Sequence, residues 1–317
     1  MAVFTKLTKN EIIEFTNLYD LGKLDTFEEI IEGIENTNYK IYCNGLPYIL
    51  TIFEKRVNVN ELPFFINLKN YINENNFKCP KPIKDKKDNI VNSIRNKKAI
   101  IISFIEGSKL SLPKINHCNE IGKMVGNLHN ITKNFREQRI NSLGLNEWKL
   151  IFSKCIKNDN NNFQKVFENL KLELDYLEEN WPTNLPSGVI HADLFKDNIF
   201  FKDNKISGVI DFYFSCNNFF IYDLAIVIND WCFYNKVTSL DINYFNAILK
   251  GYENVRKLNK NEIKSLNIIL RAAAVRILVT RLYDYIYHPT DAVVIKKDPI
   301  QYYKILLWHQ NNKDIFR

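Results

Sequence analysis

The sequence predicts an α+β fold in two lobes: a small antiparallel β-sheet lobe with a helix over residues 1–106, and a larger, mostly helical lobe over 107–317. Three observations carry this. Short β-rich runs in the first third are joined by tight-turn residues, above all Asn44-Gly45. From Ile115 onward apolar residues recur at helical spacing, with Ile121, Val125, Leu128 and Ile131 on one side. Within that helical region lies one β-like stretch, Val189–Phe201, echoed by Ile206–Tyr213, where apolar residues flank a tight polar insert.

Taken in order, Thr8 and Glu11 read as a capping box opening a helix with Ile12, Phe15 and Leu18 on one side. Leu24 to Gly33 is a strand running into a turn, and 33–39 is a polar loop. Tyr39–Cys43 and Tyr48–Phe53 form a hairpin about Asn44-Gly45. Glu61–Tyr71 reads as a helix, and Cys79-Pro-Lys-Pro82 ends that unit because proline cannot continue it. Ile90–Ile94 and the almost wholly apolar Ala99–Ile105 complete a five-stranded sheet that stops at Glu106-Gly107, with no Gly/Ser-rich linker after it. Beyond Ile115–Thr132, helices follow at 145–157 and 162–180, with Asn158–Asn162 as a loop tip between them. After the central stretch, Ser215–Asn218 reads as a loop leading to an apolar helix through Trp231. Helices near 241–254 and 262–287 and a closing one around Tyr302–His309 finish the chain.

With 46% hydrophobic and 25% charged residues, the 317-residue chain is long enough for two cores and does not read as disordered. The net charge of +7 suits an anionic nucleotide without establishing one. Basic residues are not interleaved with aromatics in a stripe, so nucleic-acid binding is not expected. The six cysteines are scattered without a C-x-x-C pair, which disfavours zinc and points to reduced thiols. With no membrane-length apolar run and no signal-peptide core, a cytoplasmic protein without membrane contacts is expected.

The chemistry concentrates in His191-Ala-Asp193, Asn198 and Asp211. A carboxylate on a loop between β-like segments can orient a hydroxyl or take its proton. Asn198 and Asp211 supply two hard oxygen ligands, which suit Mg²⁺ better than a soft metal. Each of these residues alone also reads as a turn or strand-end cap. Their joint order, His-x-Asp-x4-Asn and then Asp-Phe, is that of a phosphoryl-transfer loop. His191 and Asp223 are expected to brace the loop, while His129 reads as a packed or surface histidine.

This constellation resembles the aminoglycoside phosphotransferase and choline kinase superfamily, relatives of the protein kinases. With Gly33–Tyr39, Tyr48–Glu54, Glu61–Phe65, Tyr222–Ala225, Asn229-Asp-Trp231, Arg281–Asp284 and Lys297-Asp-Pro299 the chain looks like the homoserine kinases of that superfamily, over nearly its whole length. The resemblance implies a bilobal, protein-kinase-like fold and transfer of the ATP γ-phosphate to the hydroxyl of L-homoserine. Asp193 would be the base and Asn198 and Asp211 the Mg²⁺ ligands. The 33–39 loop, with Asn36, Thr37 and Asn38, would cover the phosphates, and Phe104-Ile105 would offer backbone groups to adenine. Thr51 stands where the wider superfamily has a phosphate-gripping lysine, so Lys40, Lys55 or Arg56 would have to supply the charge.

For a zwitterionic acceptor, Asp230 is a candidate partner for the ammonium and Arg276 or Arg281 for the carboxylate, with Tyr213 and Trp231 shaping the wall. Choline, an aminoglycoside or a methylthio-sugar are the alternative acceptors. A non-catalytic kinase-like nucleotide binder is the rival from another class, favoured only by Thr51. A monomer or homodimer is expected.

Overall fold

The structure, a computed structural model, describes residues 4–31, 36–54, 58–158, 162–233, 239–287 and 297–313. The chain divides into two compact units. The first takes the chain up to Gly107 together with Ser207–Tyr213, and the second takes Ser108–Ile206 and the chain from Phe214.

In the first unit the chain runs α1 (Lys9–Thr16), β1 (Leu24–Ile30), β2 (Thr37–Cys43), β3 (Leu46–Ile52), α2 (Leu62–Glu74), β4 (Asn92–Ile94) and β5 (Lys97–Ser103). The strands form an antiparallel sheet in the order β1-β2-β3-β5-β4. The hairpin between β2 and β3 turns on Asn44 and Gly45, both left-handed (φ 48° and 76°), which is the conformation that Asn-Gly adopts at least cost. The expected capping box opens α1: Thr8 N donates to the Glu11 carboxylate at 2.7 Å and Glu11 N to Thr8 Oγ1 at 3.3 Å.

Strand alternation then decides which side chain faces what. Tyr39, Ile41, Leu50 and Ile52 pack with Ile12 and Phe15 of α1 in one core. Asn38, Lys40, Thr51 and Phe53 point to the opposite face, where Phe53 meets Tyr213 edge-on at 5.4 Å and Tyr213 meets Phe65 of α2 at 5.5 Å. One expectation needs correcting here. Helix α2 runs past the expected Tyr71 to Glu74, and what stops it is not the Cys79–Pro82 segment but Asn76, which takes the left-handed conformation (φ 63°) while Phe77 N returns to Ile72 O.

The second unit carries α3 (Ile115–Thr132), α4 (Leu145–Asn158), α5 (Gln164–Glu179), β6 (Ser187–Ile190) and β7 (Ile199–Lys202). The chain leaves this unit within β8 (Lys205–Val209), which forms a two-stranded ribbon with β7. It returns for β9 (Cys216–Phe219), α6 (Phe220–Trp231), α7 (Ile242–Glu253), α8 (Lys260–Ile286) and α9 (Ile300–Asn311).

The segment read as a loop, Ser215–Asn218, is instead largely strand: β9 pairs antiparallel with β6, Ile190 opposite Cys216 and Gly188 opposite Asn218. Its two asparagines are poor strand formers, and cross-strand pairing overrides that preference. Helix α8 is opened by a capping box between Asn259 and Glu262 and is buried from Ile269 to Val279. The six cysteines are free and buried. No helix among the described residues is long and apolar enough to cross a membrane.

Candidate active site

The second unit carries the expected base. Strand β6 ends at Ile190, and the chain turns sharply because Ala192 adopts a left-handed conformation (φ 64°), costly for a residue with a Cβ. The turn persists because its peptides are held. Asp223, fully buried in the first turn of α6, accepts His191 N and Ala192 N at 2.7 Å each. Arg276 of α8, 3% exposed, donates through Nη1 to Ala192 O and lies 3.6 Å from Asp193 Oδ1 through Nη2. An anion thus grips the N–H side of the strained peptides and a cation the carbonyl side.

Asp193 N donates to His191 Nδ1 at 3.2 Å, so that nitrogen is the acceptor and the proton of neutral His191 sits on Nε2. Behind Asp223, His129 Nε2 approaches Oδ2 at 3.3 Å while its Nδ1 meets Tyr252 Oη at 2.8 Å. Burial lowers the His129 pKa against the opposing pull of Asp223, and the ring is a packed one, as its place in the sequence suggested.

Asn198 lies at the end of a short 3-10 turn, Lys196–Asn198, and its Nδ2 donates to Asp193 O at 2.8 Å and Asp193 Oδ2 at 3.0 Å. With both amide hydrogens committed, the Asn198 amide oxygen is the atom left to meet a cation. Burial raises the Asp193 pKa above the ordinary carboxylate value, with Arg276 and then Asn198 pulling the other way. A carboxylate made more basic by burial and aimed by fixed neighbours suits the work of a general base.

The first unit carries Asp211, also left-handed (φ 65°), followed by Tyr213. Burial raises the Tyr213 pKa, with Asp211 adding to it, so the phenol is neutral. Thr51 Oγ1 donates to Asn38 Oδ1 at 2.8 Å across the β2–β3 pair. Lys40 Nζ lies 4.5 Å from the centre of the Phe104 ring, just beyond the end of β5. Ile105 packs against Gly208, where a Cβ would stand 2.8 Å from Ile105 Cγ2.

Several expected contacts have other duties. Thr37 is fully buried and ties residues 4 and 5 to β2: its Oγ1 accepts Phe4 N and Thr5 N and donates to Glu54 Oε1 at 2.8 Å, so its side chain is a clasp. Asn36 is buried as well, with Oδ1 accepting Glu54 N at 3.4 Å. Lys97 completes this cluster by pairing with Glu54, a role that nothing local in the sequence announces. The remaining tip of the polar loop, 32–35, and the charge candidates Lys55 and Arg56 lie outside the described residues.

Asp230 accepts Lys196 N at 2.7 Å and faces Lys196 Nζ at 3.7 Å, so it braces the turn that carries Asn198 and does not wait for an ammonium. Trp231 is fully buried, its ring tilted 6.3 Å from Phe201, and so forms no open wall. Arg276 is committed to the base loop as described. Arg281 is only half-buried and donates to Asp298 O at 3.1 Å and Gln301 Oε1 at 2.8 Å.

Among the described residues no group of three or more His, Cys, Asp or Glu side chains could hold a metal ion. Asn198, in the second unit, and Asp211, in the first, each carry an oxygen of the kind that hard cations take.

The profile of the phosphotransferase enzyme family matches residues 26–258, which span β2, β3, α2, the base loop and Asp211. Homoserine kinases of Sinorhizobium fredii and Parvibaculum lavamentivorans are each 40% identical over 310 residues, covering 98% of this chain and 95% and 96% of theirs. The chain belongs to the homoserine kinases of this phosphotransferase family. The Bartonella henselae homoserine kinase extends the likeness at 38% identity over 98% of the chain and 97% of its own length.

Among solved structures, an amicoumacin kinase in complex with AMP-PNP and Ca²⁺ superimposes with a TM-score of 0.74 at 15% identity, over 96% of this chain and 94% of that one. A Plasmodium vivax ethanolamine kinase gives 0.65 at 18%, over 96% and 84%. At such identities these neighbours establish the fold, which is the α+β, bilobal protein-kinase-like one.

Proposed function

We propose that the chain phosphorylates the hydroxyl of L-homoserine with ATP, giving O-phospho-L-homoserine for threonine biosynthesis. The observation that carries this reading is 38–40% identity to homoserine kinases over 98% of the chain. The held geometry of Asp193 supports it independently as phosphoryl-transfer chemistry.

In this reading Asp193 orients the acceptor hydroxyl and takes its proton as the new O–P bond forms, while the bond from the γ-phosphorus to ADP breaks. Asp223 and Arg276 hold the Asp193 loop in its strained turn, and Asn198 fixes one carboxylate oxygen. Mg²⁺, when bound, would neutralise charge on the phosphate oxygens, with the Asn198 amide oxygen and the Asp211 carboxylate as its protein ligands. Positioning and charge stabilisation then supply most of the rate, as expected for a loose phosphoryl-transfer transition state. Phe104-Ile105 remains the proposed place for adenine, and Arg281 for the acceptor carboxylate.

The test is ADP release in a coupled assay with Mg²⁺ and ATP, run with homoserine, serine, threonine, choline and kanamycin as acceptors. Homoserine should give the highest kcat/KM. Stimulation by another acceptor and not by homoserine would overturn the substrate assignment. Asp193→Asn should cut turnover at least about 100-fold while leaving nucleotide binding in place.

A further inference from the structure

Helix α2 carries a lysine where its pattern calls for an apolar residue. Leu62, Phe65, Ile66, Leu68 and Ile72 are its buried side, and Lys69 falls among them at helical spacing, 3% exposed. A buried ammonium is normally paired with a carboxylate, because its three donors and its charge are costly to take out of water. Lys69 has no such partner among the described residues. Its Nζ reaches Tyr213 Oη at 3.5 Å, a marginal hydrogen bond to a neutral phenol, and lies 5.0 Å from the centre of that ring.

The charges it feels are those of Cys79 and Asp211. The Cys79 thiol is pushed up to about 12 by burial and is therefore uncharged at neutral pH. Burial brings Lys69 itself down to about 8, which still leaves it mostly protonated there. Lys69 is thus an under-satisfied cation within the field of Asp211.

The first unit lacks a cation on β3. Thr51 shares its sheet face with Phe53, and Phe53 and Lys69 both meet Tyr213. The strand position and the helix position therefore border one Tyr213-centred region. A neutral Thr51 hydroxyl, already donated to Asn38, offers a polyphosphate nothing that charge could add.

We propose that Lys69 is the phosphate-gripping cation of this chain, its ammonium relocated from β3 to α2 to take an oxygen of the nucleoside triphosphate. An anion there completes the hydrogen bonding that Tyr213 leaves unmet and neutralises a charge otherwise stranded in the interior. The assignment rests on the ATP reading above.

It is tested by measuring, calorimetrically and without homoserine, the binding of a non-hydrolysable ATP analogue with Mg²⁺ and of adenosine, to the wild type and to Lys69→Met. The analogue should bind the variant roughly 10- to 100-fold more weakly, as expected for losing a charge-assisted hydrogen bond, with adenosine affinity unchanged. The melting temperature of the ligand-free variant should be equal to or above that of the wild type, because methionine fills the same space without a buried charge. Recovery of analogue affinity on adding Thr51→Lys to Lys69→Met would support the relocation directly.

Unchanged analogue affinity, an equal loss for adenosine, or a lowered melting temperature would each overturn the assignment while leaving the kinase reading intact. A wild type that binds no ATP analogue would instead remove both.

Discussion

Replacing Arg276 by glutamine separates two roles that the sequence alone could not. If Arg276 met the acceptor's carboxylate, its loss would raise KM for homoserine and leave kcat nearly unchanged. The structure gives it another task, donating to Ala192 O and standing 3.6 Å from Asp193 Oδ1. A hydrogen bond from a charged donor is worth about 1.5–3 kcal/mol. The left-handed Ala192 stores strain of a similar size, on the order of 1–3 kcal/mol. Without the guanidinium the peptide can relax and carry Asp193 out of line. We expect kcat to fall roughly 10- to 100-fold with KM for homoserine little changed. Arg276→Lys should retain part of the activity, since it keeps the charge but loses the planar fork. Ala192→Gly removes the penalty on the left-handed conformation, so combined with Arg276→Gln it should recover several-fold of the lost kcat. Steady-state kinetics with both substrates varied, on variants shown to be folded, reads all of these. An elevated KM for homoserine at normal kcat would refute the clamp and return Arg276 to the substrate.

Three further outcomes follow from the same geometry. Asp223→Asn replaces one of two acceptors of the His191 and Ala192 N–H groups with a donor, so kcat should fall with KM unchanged and stability should drop by about 1–3 kcal/mol in urea melts. Glu173 and Arg271 form a buried pair, Nε to Oε1 at 2.7 Å. Glu173→Ala should therefore cost about 3–5 kcal/mol, whereas Glu173→Leu with Arg271→Met should cost far less, and near-equal losses would contradict the charge argument. His309, held by Asn229 Oδ1 at 2.7 Å, is pushed down to about 3 by burial. Between that value and the unfolded value of about 6.5 the unfolded chain binds one more proton, so stability falls as pH drops through this window, by about 1.4 kcal/mol per unit at the steepest. Urea midpoints should show that slope, and His309→Gln should flatten it.

The elements of the fold were legible because their signals are local. Thr8 and Glu11 name a helix start within four residues, and Asn44-Gly45 names a hairpin within two. The apolar spacing of Ile115–Thr132 marks its helix to the residue. Strand β9 was missed because Cys216-Asn-Asn-Phe219 becomes a strand only through β6, whose partner residues lie about 30 positions earlier, and no local preference encodes that pairing. The stop of α2, expected at Tyr71, lies at Glu74, and the residue that sets it is a left-handed asparagine and not the later prolines.

The site divides along the same line. Asp193 and Asn198 were legible as neighbours because they lie close in sequence, and Asn198 Nδ2 donates to Asp193 O and Oδ2. Which group each buried cation meets was not, since Arg276 reaches Ala192 across 84 positions and Lys69 reaches Tyr213 across 144. Yet a signal was present in both cases. Arg276 sits inside Ala272–Val279 and Lys69 inside Leu62–Ile72, each a charged residue on a face that is otherwise buried and apolar. Burying a charge is costly unless something receives it, so a lone cation on an apolar helix face implies a receiver elsewhere in the fold. For Arg276 that receiver is the base loop, present in the chain. For Lys69 the described residues offer a phenol, and the receiver proposed above is an oxygen of the nucleotide.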